Sequence, residues 1–413
     1  MPYNLPADDS SHANFTASAS SVFRRLLTHG PATRPQLCAA LGLSRPTLSS
    51  AIAELDRVGF VDKIGEAQGT FGRKAAIYRL GAGVGHVIAV DAGSTHVSLR
   101  VATLDRRLLH HRVRHLPAIQ PTLTAEISRV VAEEVSAARA LANPGWGKLR
   151  AVAIAVPTRV VGPDHDQSAT GQQILFRHFS PPDDVPLLLE NNVNCAAIGE
   201  QSRGVARGRT DFAYVQIGVR IGMGIVLGGR LVRGYSGAAG EIGHLPYPLA
   251  PGQQPVNGEL ENYIGAAGLM ERVRRAWPAS KHAHAAPADT VELFALAQRG
   301  DPAALEHVRR HAKDIGAIVA TCVGVIDPGL VVIGGGVGGN ELMLPHIRET
   351  VNRLSYPTEI QVSILGADAT MHGVEKIATD HACNRLVGQD PGLTPAGAWP
   401  HGAAWRHADS RGS

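Results

Sequence analysis

Two short helices joined by a two-residue turn are spelled between Thr33 and Gly59, and this pattern constrains the N-terminal fold more than anything else in the chain. An apolar stripe of Val22, Leu26 and Leu27 recurs at helical spacing over residues 19–29, and Gly30-Pro31 stops that helix. Thr33 is placed to cap a short helix from Arg34 to Leu41, which Gly42 breaks. Ser44 can cap the next helix, and Pro46 enters near its start, where a missing N–H costs nothing. Leu48, Ile52, Leu55 and Val58 mark one buried face before Gly59 ends the run. FVDKIG, a glycine-containing turn EAQGTFGRK and AAIYRL then predict a two-stranded hairpin with a long basic tip.

A turn as short as Gly42-Leu43 locks one helix against the other. The locked helix presents Ser44, Arg45, Thr47, Ser49 and Ser50 on the side away from its apolar face. A major groove about 12 Å wide admits one such helix. Residues 17–82 therefore read as a winged helix-turn-helix whose partner is double-stranded operator DNA. Arg45 would reach base edges or phosphate, with Arg34, Ser44, Thr47, Ser49 and Ser50 beside it. Arg73 and Lys74 on the wing suit the minor groove or its flanking phosphates, and Lys63 adds a backbone contact. The competing reading is a small helical dimerisation domain. Charge favours DNA: residues 18–80 hold nine Lys/Arg against four acids, whereas the whole chain carries only +4.

At 413 residues the chain fits two or three domains, and 44% apolar content is ample for their cores. Residues 1–16 read as a flexible arm and 387–413, rich in Gly, Pro and Ala, as a disordered tail. The start lacks the basic and apolar regions of a signal peptide, and no apolar run approaches the ~20 residues that span a bilayer, so a cytoplasmic protein without membrane partners is expected. Cys38, Cys195, Cys322 and Cys383 are far apart and form no CxxC, which predicts reduced thiols.

From 83 to 386 strands and helices alternate. VIAVDAGSTHVSLRVATLD gives two strands around a glycine turn, LRAVAIAVP and VPLLLENN give buried strands, and FAYVQIGVRIGMGIVLGGRLVRG gives further strand and turn. LVVIGGGV is another strand. Helical periodicity runs over 121–142, 193–203, 259–275, 289–298 and 302–325. The alternation predicts an α/β, three-layer architecture. Alone, Asp91-Ala-Gly-Ser-Thr95 reads as a structural turn in preference to a phosphate-holding one, and so does the GGG at 334–336.

Taken in order, the segments resemble the ROK family of repressors, open reading frames and sugar kinases, and within it the xylose/N-acetylglucosamine repressor type. The matching pieces are Asp91–Thr95, Glu190-Asn-Asn-Val-Asn194 with Ala196–Glu200, Gly237-Ala-Ala-Gly-Glu-Ile-Gly-His244, Asp327–Gly336 and Leu365–Ala369, preceded by Gly72-Arg73-Lys74 in the wing. The resemblance implies a two-lobed actin-like, sugar-kinase (ribonuclease H-like) ATPase-type domain, a homodimer or tetramer, and a cleft for sugar. Asn191, Asn192, Glu241, His244 and Glu261 would face the sugar. Asp91, Gly93, Thr95, Gly218, Arg220 and Gly335 would be vestigial phosphate loops.

Three departures argue against kinase chemistry. Asn192 stands where the kinases carry the aspartate that takes the sugar's proton, and a carboxamide cannot be that base. Gly218-Val219-Arg220 replaces a Gly-Thr-Gly phosphate turn, and Thr158 follows Pro157 where the family has glycine. The family's zinc cysteines are missing around Gly252–Glu261, so neither metal nor cofactor is expected. The functional expectation is a DNA-binding regulator, a repressor, with a degenerate sugar-kinase-like domain that senses a carbohydrate. The alternatives are an active sugar kinase with a DNA-binding appendage and a ligand-independent DNA binder.

Overall fold

The computed structural model describes residues 15–68, 74–162, 170–182, 184–247, 252–277 and 285–387, together with the backbone of 398–399. The head comprises α1 (Ala17–His29), β1 (Ala32–Thr33), α2 (Arg34–Leu41), α3 (Arg45–Arg57), β2 (Val61–Gln68) and β3 (Lys74–Leu80). Thr33 and Gln36 form a reciprocal capping box on α2, and Gly42 closes that helix in the left-handed conformation. Ser44 caps α3 by accepting from the Thr47 amide. α1 buries Val22, Phe23 and Leu26 against Leu48, Ile52 and Leu55 of α3. Val58, expected on the buried face, is exposed, because the helix ends at Arg57 and the chain turns outward there. β1 adds a third strand to the hairpin, in the order β1-β3-β2.

The arm is also shorter than its composition suggests. The Glu54 carboxylate accepts from the Thr16 amide at 2.9 Å and from its hydroxyl at 2.7 Å, and the Phe15 ring lies 5.3 Å from Phe60. Phe15 and Thr16 thus belong to the head, and residues 1–14 lie outside the described part.

Lobe one contains β4 (His86–Ala92), β5 (His96–Thr103), β6 (Leu108–His115), α4 (Ala125–Ala140), β7 (Leu149–Val156) and β8 (Leu187–Asn191), followed by α5 (Asn192–Arg203). Lobe two contains β9 (Phe212–Ile217), β10 (Ile221–Leu227), β11 (Arg230–Val232), α6 (Glu259–Ile264), α7 (Ala266–Ala276), α8 (Thr290–Gln298), α9 (Pro302–Ile326), β12 (Leu330–Gly334), α10 (Leu344–Leu354) and β13 (Glu359–Val362). The chain then returns to lobe one as α11 (Ala369–Val387). Gly265 splits the single helix expected over 259–275 into α6 and α7. β14 (Ala398–Trp399) pairs antiparallel with β8, a correction to the unstructured tail expected there. The sheets run β14-β8-β7-β4-β5-β6 and β11-β10-β9-β12-β13, each mixing parallel and antiparallel pairs.

α4 covers one face of the first sheet through Ile127, Val131 and Val135. α5 and α11 cover the other, and α5 also meets Phe212, Tyr214 and Val226 of the second sheet. Glycine permits the α5–α11 crossing. A Cβ on Gly373 would sit 1.7 Å from the Cys195 carbonyl oxygen, and one on Gly199 2.1 Å from that of Ala369.

The head is fastened to lobe one. The Gly81 and Gly83 amides donate to the Phe60 and Gly59 carbonyls, and Arg150 donates to the carbonyls of Val84 and Gly83 at 3.0 and 2.9 Å. One apolar cluster runs from Val22, Phe23 and Leu55 through Leu80 and Val84 to Leu104, and on to Ala382, Cys383 and Leu386 at the end of α11.

Candidate functional site

Two sites emerge, at opposite ends of this shared core. At the first, Ser44, Arg45, Thr47, Ser49 and Ser50 all lie exposed on the first two turns of α3. Their hydroxyls are not equally free. The Ser44 Oγ is engaged by the Thr47 amide at 3.3 Å and by its hydroxyl at 2.8 Å. Arg34 is exposed but oriented. Its Nε donates to the Tyr78 hydroxyl at 3.1 Å, and its guanidinium lies 5.4 Å from that ring's centre. Lys63 is paired with Glu66 at 3.0 Å. Arg45 has no partner among the described residues. Lys74 is exposed at the start of β3, while Arg73 lies outside the described residues.

The second site is a cavity of about 1160 Å³ between the lobes. It is lined by Asn191, Asn192, Glu241, His244 and Glu261 of the expected sugar set, and by Asp91, Gly93, Thr95, Gly218, Arg220 and Gly335 of the expected phosphate loops. Segments up to 279 residues apart in sequence thus meet in one space.

Within it the side chains have different freedoms. Asn191 caps α5: its Oδ1 accepts from the amides of Val193 and Asn194, and its Nδ2 donates to the Thr158 carbonyl at 3.2 Å. That carboxamide is held by the fold rather than offered to a ligand. Asn192 has its carbonyl tied to the Thr370 hydroxyl at 3.3 Å, while its side-chain amide has no partner among the described residues. His244 is held by Asn257, with Nδ1 to Oδ1 at 2.7 Å. One imidazole and one amide oxygen are not a donor set for structural zinc, so the group does not fit here. Arg220 donates from Nε to Glu261 at 2.9 Å and reaches the Pro121 carbonyl of lobe one at 3.4 Å.

Burial sets the charge of the cleft. It pushes Asp91 up to about 7, with Asp368 adding to the shift, and raises Glu241 above the ordinary carboxylate range. His96, 4.0 Å from Asp91, is pushed down by burial and by His115.

Several lining residues carried no sequence signal of their own. His96 simply follows the Asp91–Thr95 turn, Arg159 follows the Pro157-Thr158 departure, and Ser363 and Thr370 flank the Leu365–Ala369 match.

The ROK family pattern matches residues 87–380. The chain belongs to the ROK family. It is 24% identical over 381 residues to a xylose repressor of Bacillus subtilis, covering 89% of this chain and 96% of the relative. It is 32% identical over 304 residues to the bifunctional enzyme NanE/NanK of Brucella suis, covering 71% of this chain and 53% of that enzyme. Among solved structures, a ROK family transcriptional regulator homologous to the MLC protein of E. coli superposes with a TM-score of 0.67 at 18% identity, over 89% of this chain and 96% of the other. The fold is therefore the ROK sugar-kinase-like α/β fold. No described helix is long and apolar enough to cross a membrane.

Proposed function

We propose that this ROK protein is a transcriptional repressor whose winged helix reads operator DNA and whose interlobe cleft senses a carbohydrate without phosphorylating it. The observation that carries the reading is the exposed polar face of α3, with Arg45 unpaired among the described residues, on a head that shares one core with the sensor domain. A rigidly mounted helix can be aimed, whereas a tethered one cannot. The near full-length match to xylose repressors supports the same assignment.

The protein acts in the cytoplasm as a dimer or a pair of dimers, so that two α3 helices meet major grooves about 34–36 Å apart or a multiple of that. Arg45 and Arg34 contact base edges or phosphate, with Ser44, Thr47, Ser49 and Ser50 around them. Lys63, Arg73 and Lys74 serve the flanking backbone. In the cleft, Asn192, Glu241, His244 and Glu261 bind sugar hydroxyls, and Asn191 positions the start of α5.

Ligand binding reaches the head through α11. Thr370, at its first turn, lines the cleft and bonds the Asn192 carbonyl, and Leu386 at its far end packs in the head's cluster. A shift of the lobes by a ligand moves both ends of one rod, in proportion to the ligand's differential affinity for the two states.

Phosphoryl transfer is absent because Asn192 cannot accept the hydroxyl proton and Arg220 crosses the phosphate turn. Selection of bound duplexes from random or genomic DNA tests the regulator. Salt-sensitive enrichment of a two-fold-related site supports it, and no enrichment refutes it. Sugar-dependent ADP release from ATP by the parent protein would establish the kinase instead. The Asn192→Asp variant shows whether that residue is what removes the activity.

A further inference from the structure

Arg34 opens α2 at the point where α2, α3 and the wing sheet meet, and the sheet and α3 both hold its guanidinium. β1 pairs with β3 with Ala32 opposite Tyr78, so the register brings the start of α2 beside that tyrosine. The Tyr78 ring is buried. Its hydroxyl accepts from Arg34 Nε at 3.1 Å, and the guanidinium lies over the ring, 5.4 Å from its centre. From α3, the Ser49 hydroxyl accepts from Arg34 Nη1 at 3.5 Å.

The chemistry of these partners matters. A carboxylate would orient a cation and offset its charge, as Glu66 does for Lys63 at 3.0 Å and Asp62 for Arg79 at 3.7 Å. Two hydroxyls and a ring face orient Arg34 and leave its charge whole. Its side chain is exposed, and Nη2 has no partner among the described residues. The helix end beside it offers an anion little else: Pro35 has no amide, and the Gln36 amide is taken by the Thr33 cap.

We infer that Tyr78 is a positioning residue for DNA binding, which aims Arg34 in advance at one backbone phosphate beside α3. This rests on the regulator role proposed above and deepens it. In a helix-turn-helix the first helix of the pair crosses the backbone while the second enters the groove, so the start of α2 meets phosphate rather than base edges. A phosphate contact sets register and orientation without reading sequence. Here that register is shared by both DNA-facing elements, because Tyr78 belongs to the strand that carries the wing and Ser49 to the helix that reads. An untethered arginine has to be ordered on binding, which over the two heads of a dimer lowers affinity by roughly 5- to 100-fold.

The test is a double-mutant cycle on the full chain, read by fluorescence anisotropy across a salt series. The probes are a duplex that the parent protein selects from random DNA and a scrambled duplex of the same length. Tyr78→Phe keeps the ring and removes the acceptor. It should weaken both duplexes by the factor above and leave the salt slope unchanged, because every charge remains. Arg34→Ala should weaken both duplexes and flatten the slope by about 0.9 for each head bound. In the Arg34→Ala background, Tyr78→Phe should have no further effect. An equal loss from Tyr78→Phe in both backgrounds, or no loss in either, overturns the inference and leaves the regulator standing. A loss confined to the selected duplex also overturns it, because Arg34 would then read a base edge. Thermal melting accompanies each variant. If Tyr78→Phe melts well below the parent, Ser49→Ala removes the second tether from an exposed position and is read in the same cycle. A parent protein that selects no duplex removes the regulator role and this inference with it.

Discussion

Replacing Arg45 with alanine separates direct reading of DNA from mere attraction to it. Arg45 is exposed at the first turn of α3 and unpaired among the described residues, whereas Lys63 on the neighbouring hairpin is paired with Glu66. Operator affinity falls with salt with a slope of about −0.9 per neutralised phosphate. If each Arg45 of a dimer neutralises one phosphate, Arg45→Ala flattens the log–log slope by roughly 1.8 and weakens all duplexes alike. If each reads a base edge, the loss is about 1–3 kcal/mol per contact, the salt slope is far less changed, and discrimination disappears at one position of each half-site. Fluorescence anisotropy on the selected operator and on base-substituted versions, between 50 and 200 mM salt (roughly the range in which such slopes are measured), distinguishes the two. Glu66→Gln works in the opposite direction. It releases Lys63 and should raise non-specific affinity and steepen the slope. Unchanged affinity and slope for Arg45→Ala would refute the placement of α3 in the groove, because no contact among the described residues hides that side chain.

Three further outcomes follow from particular contacts. Ser44→Ala removes the hydroxyl that accepts from the Thr47 amide and should cost the head about 1 kcal/mol, read as a lower urea midpoint, with Ser44→Asp restoring it. Arg233→Ala leaves the buried Glu190 carboxylate with only the Asn191 amide and the Asn194 side chain as donors among the described residues. A loss of about 3 kcal/mol is expected, at the lower end for a broken buried pair because Arg233 is a quarter exposed, and calorimetric melting checks it. Asp91 is raised in the fold to about 7, so the neutral form is the one the fold favours: the stabilisation is complete at pH below 3.8, its unfolded value, and is lost as pH rises through 7. Asp91→Asn should therefore gain in melting temperature relative to the parent between pH 5 and 8, an expected window bracketing that value. A difference flat across this window would show that Asp91 is not desolvated.

The head was readable because each of its features is local. Thr33, Gly42, Ser44 and Gly59 each act within four residues of their own position, and the structure places the bounds of α2 where the caps predict. The strands of both lobes were legible for a related reason, as short apolar runs flanked by glycine. β6 and β13 were not, and both are edge strands. β6 reads LLHHRVRH, polar where a sheet strand is usually apolar, and its place is decided by pairing with β5. α11 escaped for the opposite reason. It is buried on nearly every side, with Thr370, Glu375 and Thr379 inside along with its apolar residues, so it has no amphipathic stripe to betray it. Motif matching brought the cleft residues together, but it could not say which amide was already engaged. Asn191 and Asn192 are neighbours with the same side chain. Only the backbone geometry at the start of α5 makes the first a cap and leaves the second without a partner among the described residues.

α11 also joins the cleft to the head's cluster. A helix rises about 1.5 Å per residue, so its 19 residues span roughly 28 Å, from the cleft to the head. Glycine at 199 and 373 lets α5 and α11 touch backbone to backbone, and α5 begins at Asn192 inside the cleft. The carbonyl of that residue is bonded to Thr370 on α11. Any ligand that draws Asn192 toward lobe two therefore pulls on both helices, and close packing gives them few ways to absorb the strain locally. The displaced end is the one whose Cys383 and Leu386 pack in the cluster that holds α1 and α3. In a dimer with two grooves to meet at fixed spacing, a small rotation of each head is enough to spoil the match, so the sensor need not disorder the reader in order to release it.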